Sequence, residues 1–260
     1  MDMRMSKIID AHTFIGSWSG IDVSSTLQSL FASMEKAGVT RSVTITTNRD
    51  ENEAVRKLVE DYPSKLYFGL WFLPDREHLS YLRKYHDQIR MVKFHPSHAK
   101  TRLDDPKMAD LLRFCEQEDI PILVHCGRWR EMAGYDIALS VAEKHEANIL
   151  LAHMGGVSPD IVRETVDTIQ ERCIKNAYLM TSGMASSPEV YWLEPCPPEL
   201  IRYATQGVGA DRVVLGSDYP FGKQGDMVKS VIEADLSPQE REKILATNAV
   251  RILHLESPYS

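Results

Sequence analysis

A short apolar run rich in β-formers, then polar residues, then apolar side chains at helical spacing: this order recurs along the whole chain. The runs are IIDAHT, SVTITT, YFGLWF, MVKFHP, PILVHCG, NILLAHMGG, AYLMTSG and VVLGSDYP, eight in all. Strands alternating with helices predict βα units, and eight is the number that closes a parallel sheet, so the predicted fold is an α/β, (β/α)8 TIM barrel. Ser24 and Ser25 before LQSLFASMEKAG, with Gly38 after it, mark the ends of the first helix. Asp104 and Asp105 before Pro106, and the Ser-Pro openings of SPDIVRETVDTIQERC and SPQEREKILATNAVRILHL, mark three more starts. No repeat, low-complexity linker or long charge run interrupts the series, so residues 1–260 read as one domain.

A chain of 260 residues is long enough for a barrel with a sizeable core. No apolar run approaches the roughly 18 residues of a bilayer span, and the start lacks the apolar core of a secretory signal. The expectation is a cytoplasmic protein without a membrane partner. A formal net charge of −7 argues against a broadly basic nucleic-acid surface and leaves a small molecule as the expected partner. Cys115, Cys126, Cys173 and Cys196 form no CxxC pair and read as small buried hydrophobes rather than disulfides or nucleophiles. Strand alternation points Cys126 away from the face of His125.

Alternation puts Asp10, His12 and Phe14 on one face of the first strand and Ile9, Ala11 and Thr13 on the other, the smaller apolar face taken as outward. Lys93 and His95 share a face of the fourth strand; His125 ends the fifth, His153 the sixth and Asp218 the eighth. In a parallel barrel the C-terminal strand ends gather substrate and catalytic groups. Four histidines and a carboxylate converging there make a donor set suited to a catalytic divalent metal. The longest irregular segment, SGMASSPEVYWLEPCPPEL, carries Tyr191 and Trp192, which either cap a pocket or bury in a dimer contact.

IDAHTF, VKFHP, PILVHCG, ILLAHMGG, VLGSDYPFG and a terminal TNAVRIL resemble, in that order, the amidohydrolase-related family of metal-dependent TIM-barrel hydrolases and nonoxidative decarboxylases. The resemblance implies His12, His125 and Asp218 as ligands of one divalent metal ion, zinc first and manganese or iron as alternatives. It implies His153 as the acid/base or polarising group, and a homodimer or larger homo-oligomer. Phe14 stands where the family's HxH motif has its second histidine, and His95, on the same rim, is the candidate to replace the lost nitrogen. In some branches of the superfamily a fourth-strand lysine is carboxylated and bridges two metals, which makes Lys93 a further candidate. Metal-activated water, with Asp218 taking its proton, would attack a carbonyl, and Arg128 or Arg130 would hold a substrate carboxylate. His95, Arg128, Phe14 and Trp192 are therefore the expected substrate-binding residues. Decarboxylation on the same residues, and a noncatalytic binding barrel with a degenerate metal site, remain as alternatives.

Overall fold

The computed structural model describes residues 7–18, 22–46, 51–127, 129–185 and 192–255. Eight strands, β1 (Ile8–Ser17), β2 (Val39–Thr46), β3 (Leu66–Phe72), β4 (Ile89–Phe94), β5 (Ile122–Val124), β6 (Ile149–Leu151), β7 (Ala177–Met180) and β8 (Val213–Val214), fall on the eight predicted runs. Each pairs in parallel with the next, so sequence order and sheet order coincide. The ends meet: Ala11 N donates to Leu215 O at 3.0 Å, Asp218 N to His12 O at 2.8 Å and Phe14 N to Tyr219 O at 2.8 Å. The sheet thereby returns to its first strand as a TIM barrel. Among the described residues no helix is long and apolar enough to cross a membrane.

Helix caps follow the local chemistry with small displacements. The first helix, Leu27–Ala37, is capped by Thr26 in a capping box with Ser29 and ends at Gly38 with φ 70°. Ser24 and Ser25 instead form a short antiparallel pair with Gly16 and Ser17. Asp105 caps only a short 3-10 turn over Pro106–Met108, and the helix proper runs Ala109–Gln117. Ser237 forms a full capping box with Glu240, as its Ser-Pro opening suggests.

Two apolar clusters divide the core. One packs the outward strand faces against the helices. The other fills the barrel, with Ile9, Ala11, Val43, Ile45, Tyr67, Met91, Leu123, Leu150, Met180 and Val214 from successive strands. This corrects the expected faces of β1: Ile9 and Ala11 point inward, while Asp10 faces the helix layer. The reason is a bulge. Asp10 pairs with Ser42 and Thr13 with Thr44, so β1 spends two residues, Ala11 and His12, where β2 spends one. The extra residue shifts the alternation, so that His12 and Phe14 also turn inward and Thr13 turns out to bond Val43 O at 2.9 Å.

Asp10 anchors the bulge. Its buried carboxylate accepts from His12 N at 3.1 Å, Ser217 N at 2.9 Å, Ser217 Oγ at 2.5 Å and Gln224 Nε2 at 2.8 Å. Burial raises the Asp10 pKa against these donors, which act to lower it. Asp10→Asn turns an acceptor into a donor facing other donors, and should cost about 1–3 kcal/mol, read as a lower urea midpoint.

Candidate active site at the C-terminal rim

The bulge, the ends of β4, β5 and β6 and the turn after β8 deliver their polar groups to one place. His12 Nε2 lies 3.1 Å from Asp218 Oδ1, and His153 Nε2 lies 3.9 Å from Asp218 Oδ2. His153 Nε2 is also 3.3 Å from His125 Nδ1, and the His125 ring stacks on His95 with centroids 3.9 Å apart and planes 11° apart. Ser182, just past β7, serves two rings: its Oγ is 3.2 Å from His12 Nδ1, and its carbonyl oxygen is 2.6 Å from His153 Nδ1. A carbonyl only accepts, so Nδ1 of His153 carries a proton and Nε2 is the nitrogen that can exchange one.

The backbone is bent to make this happen. His153 (φ 55°), Met154 (φ 54°) and Asp218 (φ 60°) all occupy the left-handed region. Non-glycine residues held there cost on the order of 1–3 kcal/mol each, a strain found where side chains must be aimed. Gly127 has a different purpose. A methyl group there would stand 2.4 Å from His125 Nε2, so the glycine makes room for the ring.

Burial dominates the electrostatics. Desolvation, seconded by neighbouring positive charge, holds His12, His95 and His125 well below the usual imidazole range, so they are neutral at neutral pH. Burial pushes the Asp218 carboxyl up to about 7, the Asp10 charge adding to it and Lys93 opposing. Burial also brings Lys93 down to about 8, Asp218 and Cys126 pulling the other way. Lys93 is 1% exposed, on the inward face between Met91 and the rim. Cys126 is buried and its thiol is pushed up to about 12, which removes it as a nucleophile.

The donors fit a metal only in part. His12 Nε2 is buried without a hydrogen-bond partner and sits beside Asp218 Oδ1, as two ligands of one ion would. The expected third ligand faces elsewhere, since His125 offers Nδ1 to His153 and packs Nε2 against Gly127. His95, the candidate replacement, lies behind His125 in the stack. Among the described residues no three His, Cys, Asp or Glu side chains are grouped to hold an ion. A catalytic zinc takes three protein ligands and water, and this arrangement supplies two.

Phe14 instead joins a wall of rings. It is 2% exposed, and its centroid lies 5.1 Å from His12, 5.5 Å from Trp18 and 6.3 Å from Trp71. Trp18 continues to Phe221 at 5.0 Å and to His98 at 5.5 Å. Asn52 fixes the Trp71 backbone, donating to its carbonyl at 2.9 Å and accepting from its N–H at 3.0 Å. Trp18, Trp71, Phe221, His98 and Ser182 are site residues that no motif in the sequence singles out. Trp71 was within reach, because it follows Tyr67 by four residues on the inner face of β3.

Other expected positions lie apart. Arg128 and Tyr191 fall outside the described residues. Arg130 is exposed and packs on Tyr135, 5.1 Å from the ring centroid, with Glu164 at 3.4 Å, so it braces helices rather than facing the site. Trp192 is 55% exposed. Cys173 is exposed just past its helix, against the expectation of burial.

Solved structures share this architecture across their length. A putative 2-pyrone-4,6-dicarboxylic acid hydrolase from Pseudomonas putida matches with a TM-score of 0.75 at 17% identity, over 97% of this chain and 99% of that one. An amidohydrolase from Burkholderia multivorans with bound zinc matches at 0.75 and 16%, over 96% and 100%. The 5-carboxyvanillate decarboxylase from Sphingomonas paucimobilis matches at 0.74 and 14%, over 96% and 100%. At these identities the likeness is one of fold. The family model described as amidohydrolase matches residues 7–255, nearly the whole chain. The chain therefore belongs to the amidohydrolase family.

Proposed function

We propose that the protein hydrolyses a small, planar acid carrying an ester, lactone or amide bond, with Asp218 as the general base. The observation that carries this reading is the buried Asp218 carboxyl, set between His12 and His153, whose proton affinity burial raises to near neutrality. A base with that affinity takes a proton from water and is about half ionised at neutral pH. The hydroxide formed attacks the carbonyl carbon while the π pair moves to oxygen. His153 Nε2, within 3.9 Å of Asp218 Oδ2, receives the collected proton and passes it to the leaving group as the carbonyl re-forms. Its Nδ1–H bond to the Ser182 carbonyl keeps the ring aimed throughout. The ring wall of Phe14, Trp18 and Trp71 favours a flat substrate, and structures of like fold are named for acids built on a pyrone or a benzene ring. The metal expected from the sequence enters no step, because its third donor is turned away.

The test is a panel of aryl esters, unsaturated lactones and anilides, read for acid release alongside carbon dioxide. Hydrolysis without carbon dioxide supports the proposal; carbon dioxide evolved in step with product assigns decarboxylation instead. The pH profile is a second reading. A base works when ionised, so kcat/KM should rise with pH through about 7. The depressed histidines add no limb in that range, so activity that falls as pH rises through it would count against Asp218.

A further inference from the structure

Lys93 is the charged group of the barrel interior that the hydrolytic scheme leaves idle. It lies on β4, its rung of the ladder shared with Trp71 on β3 and Leu123 on β5, two residues short of His95 and beneath His125. It is 1% exposed, and among the described residues it makes no hydrogen bond or ion pair. The rings around it, His12, His95, His98 and His125, carry no negative charge to compensate it, while Asp218 attracts it without contact. An ammonium almost wholly withdrawn from water, with Asp218 attracting it only from a distance, is weakly compensated within the folded chain and suits a ligand that brings negative charge. The surroundings say which. Phe14 fills the place of a metal-binding histidine, so the one fixed cation the described site presents is a side chain. Lys93 stands on the same barrel face as Trp71, its partner across the β3–β4 pair.

We propose that Lys93 is the anion-holding residue of this site, taking a negatively charged oxygen of a planar substrate lodged against Phe14, Trp18 and Trp71. In the hydrolytic cycle that oxygen is the carbonyl oxygen as it gains charge, or a carboxylate on the substrate ring, and the ammonium supplies the positive field with no third metal donor. The inference rests on the barrel mouth being the active site, and its test reads binding alone, so failure of the hydrolase assignment and failure of this role are told apart.

The probe is benzoate, titrated into chelator-washed protein by isothermal calorimetry and by quenching of tryptophan fluorescence. The wild-type protein should bind it without added metal, and Lys93→Met should raise Kd about ten- to a hundredfold, the span of one charge-assisted hydrogen bond. Without benzoate, Lys93→Met should unfold at a higher urea concentration than wild type, because the unpaired charge is gone. A lysine that merely fills the barrel predicts the gain in stability but no change in the benzoate Kd. Lys93→Gln, which also removes the charge, should weaken benzoate alike and guards against a poorly packed methionine. No benzoate binding by the wild type, binding that appears only with added zinc, or an unchanged Kd in both variants overturns the proposal.

Discussion

Asp218→Asn should lower kcat by about 10²–10⁴-fold, the usual contribution of a positioned general base, while leaving the fold intact. The substitution is nearly isosteric, and asparagine tolerates the left-handed backbone at this position (φ 60°) better than most residues. The hydrogen bond from residue 218 N to His12 O, at 2.8 Å, belongs to the backbone and survives, so the closure of the barrel is not at stake. What is lost is the ability to take a proton from water. Stability provides a control whose sign can be worked out in advance. The folded carboxyl has its pKa raised by burial, so as pH rises from about 4 to about 7 the unfolded chain ionises first and the native state loses stability. Asparagine has no such loss. At pH 8 the variant should therefore be at least as resistant to urea as wild type while hydrolysing the same substrate far more slowly. A kcat within tenfold of wild type would remove Asp218 from the role of base.

The strands are readable because a parallel barrel buries both faces of each strand, which leaves apolar runs as a signal that no helix among the described residues imitates. The rim residues were readable for the same reason: His125, His153 and Asp218 follow those runs directly, so finding a strand end finds the side chain. What failed was alternation at β1. A bulge inserts one residue without any mark in composition, and Asp10 and Ile9 exchanged faces because Ala11 and His12 together oppose Val43. Ring orientation was also out of reach. His125 and His153 look alike in sequence, yet a carbonyl bond at Nδ1 aims one into the site, and room beside Gly127 turns the other sideways. Trp18 and Trp71 were hidden by a different cause. Each reads as an ordinary core residue until the fold brings the end of β1 beside the end of β3. Trp192, in the long loop, drew attention by its setting and proves to be mostly solvated.

Phe14→His should turn this rim into a zinc site. His12 Nε2 and Asp218 Oδ1 already stand 3.1 Å apart, the nitrogen is buried without a hydrogen-bond partner, and the position two residues on faces the same interior after the bulge. An imidazole there would bring the protein donors to three, the number a catalytic zinc requires beside water. Four-ligand structural sites bind zinc with about 10–16 kcal/mol, or roughly 3 kcal/mol a ligand, so one added donor is worth about a hundredfold in affinity. The gain opposes a packing loss, since Phe14 is 2% exposed and its edge contacts with Trp18 and Trp71 would be thinned. The expected result is therefore a variant that is less stable than wild type without metal and regains stability on adding zinc, because a ligand that binds only the native state raises the unfolding midpoint. Competition with a chromophoric chelator measures the affinity, and urea unfolding with and without zinc measures the linkage. If wild type already holds stoichiometric zinc through dialysis against chelator, the donor pair has found its third ligand without help, and His125 must turn from His153 to provide it. If neither protein holds zinc while the variant folds, the ring wall rather than the missing nitrogen governs the pocket, and restoring the motif does not restore the chemistry.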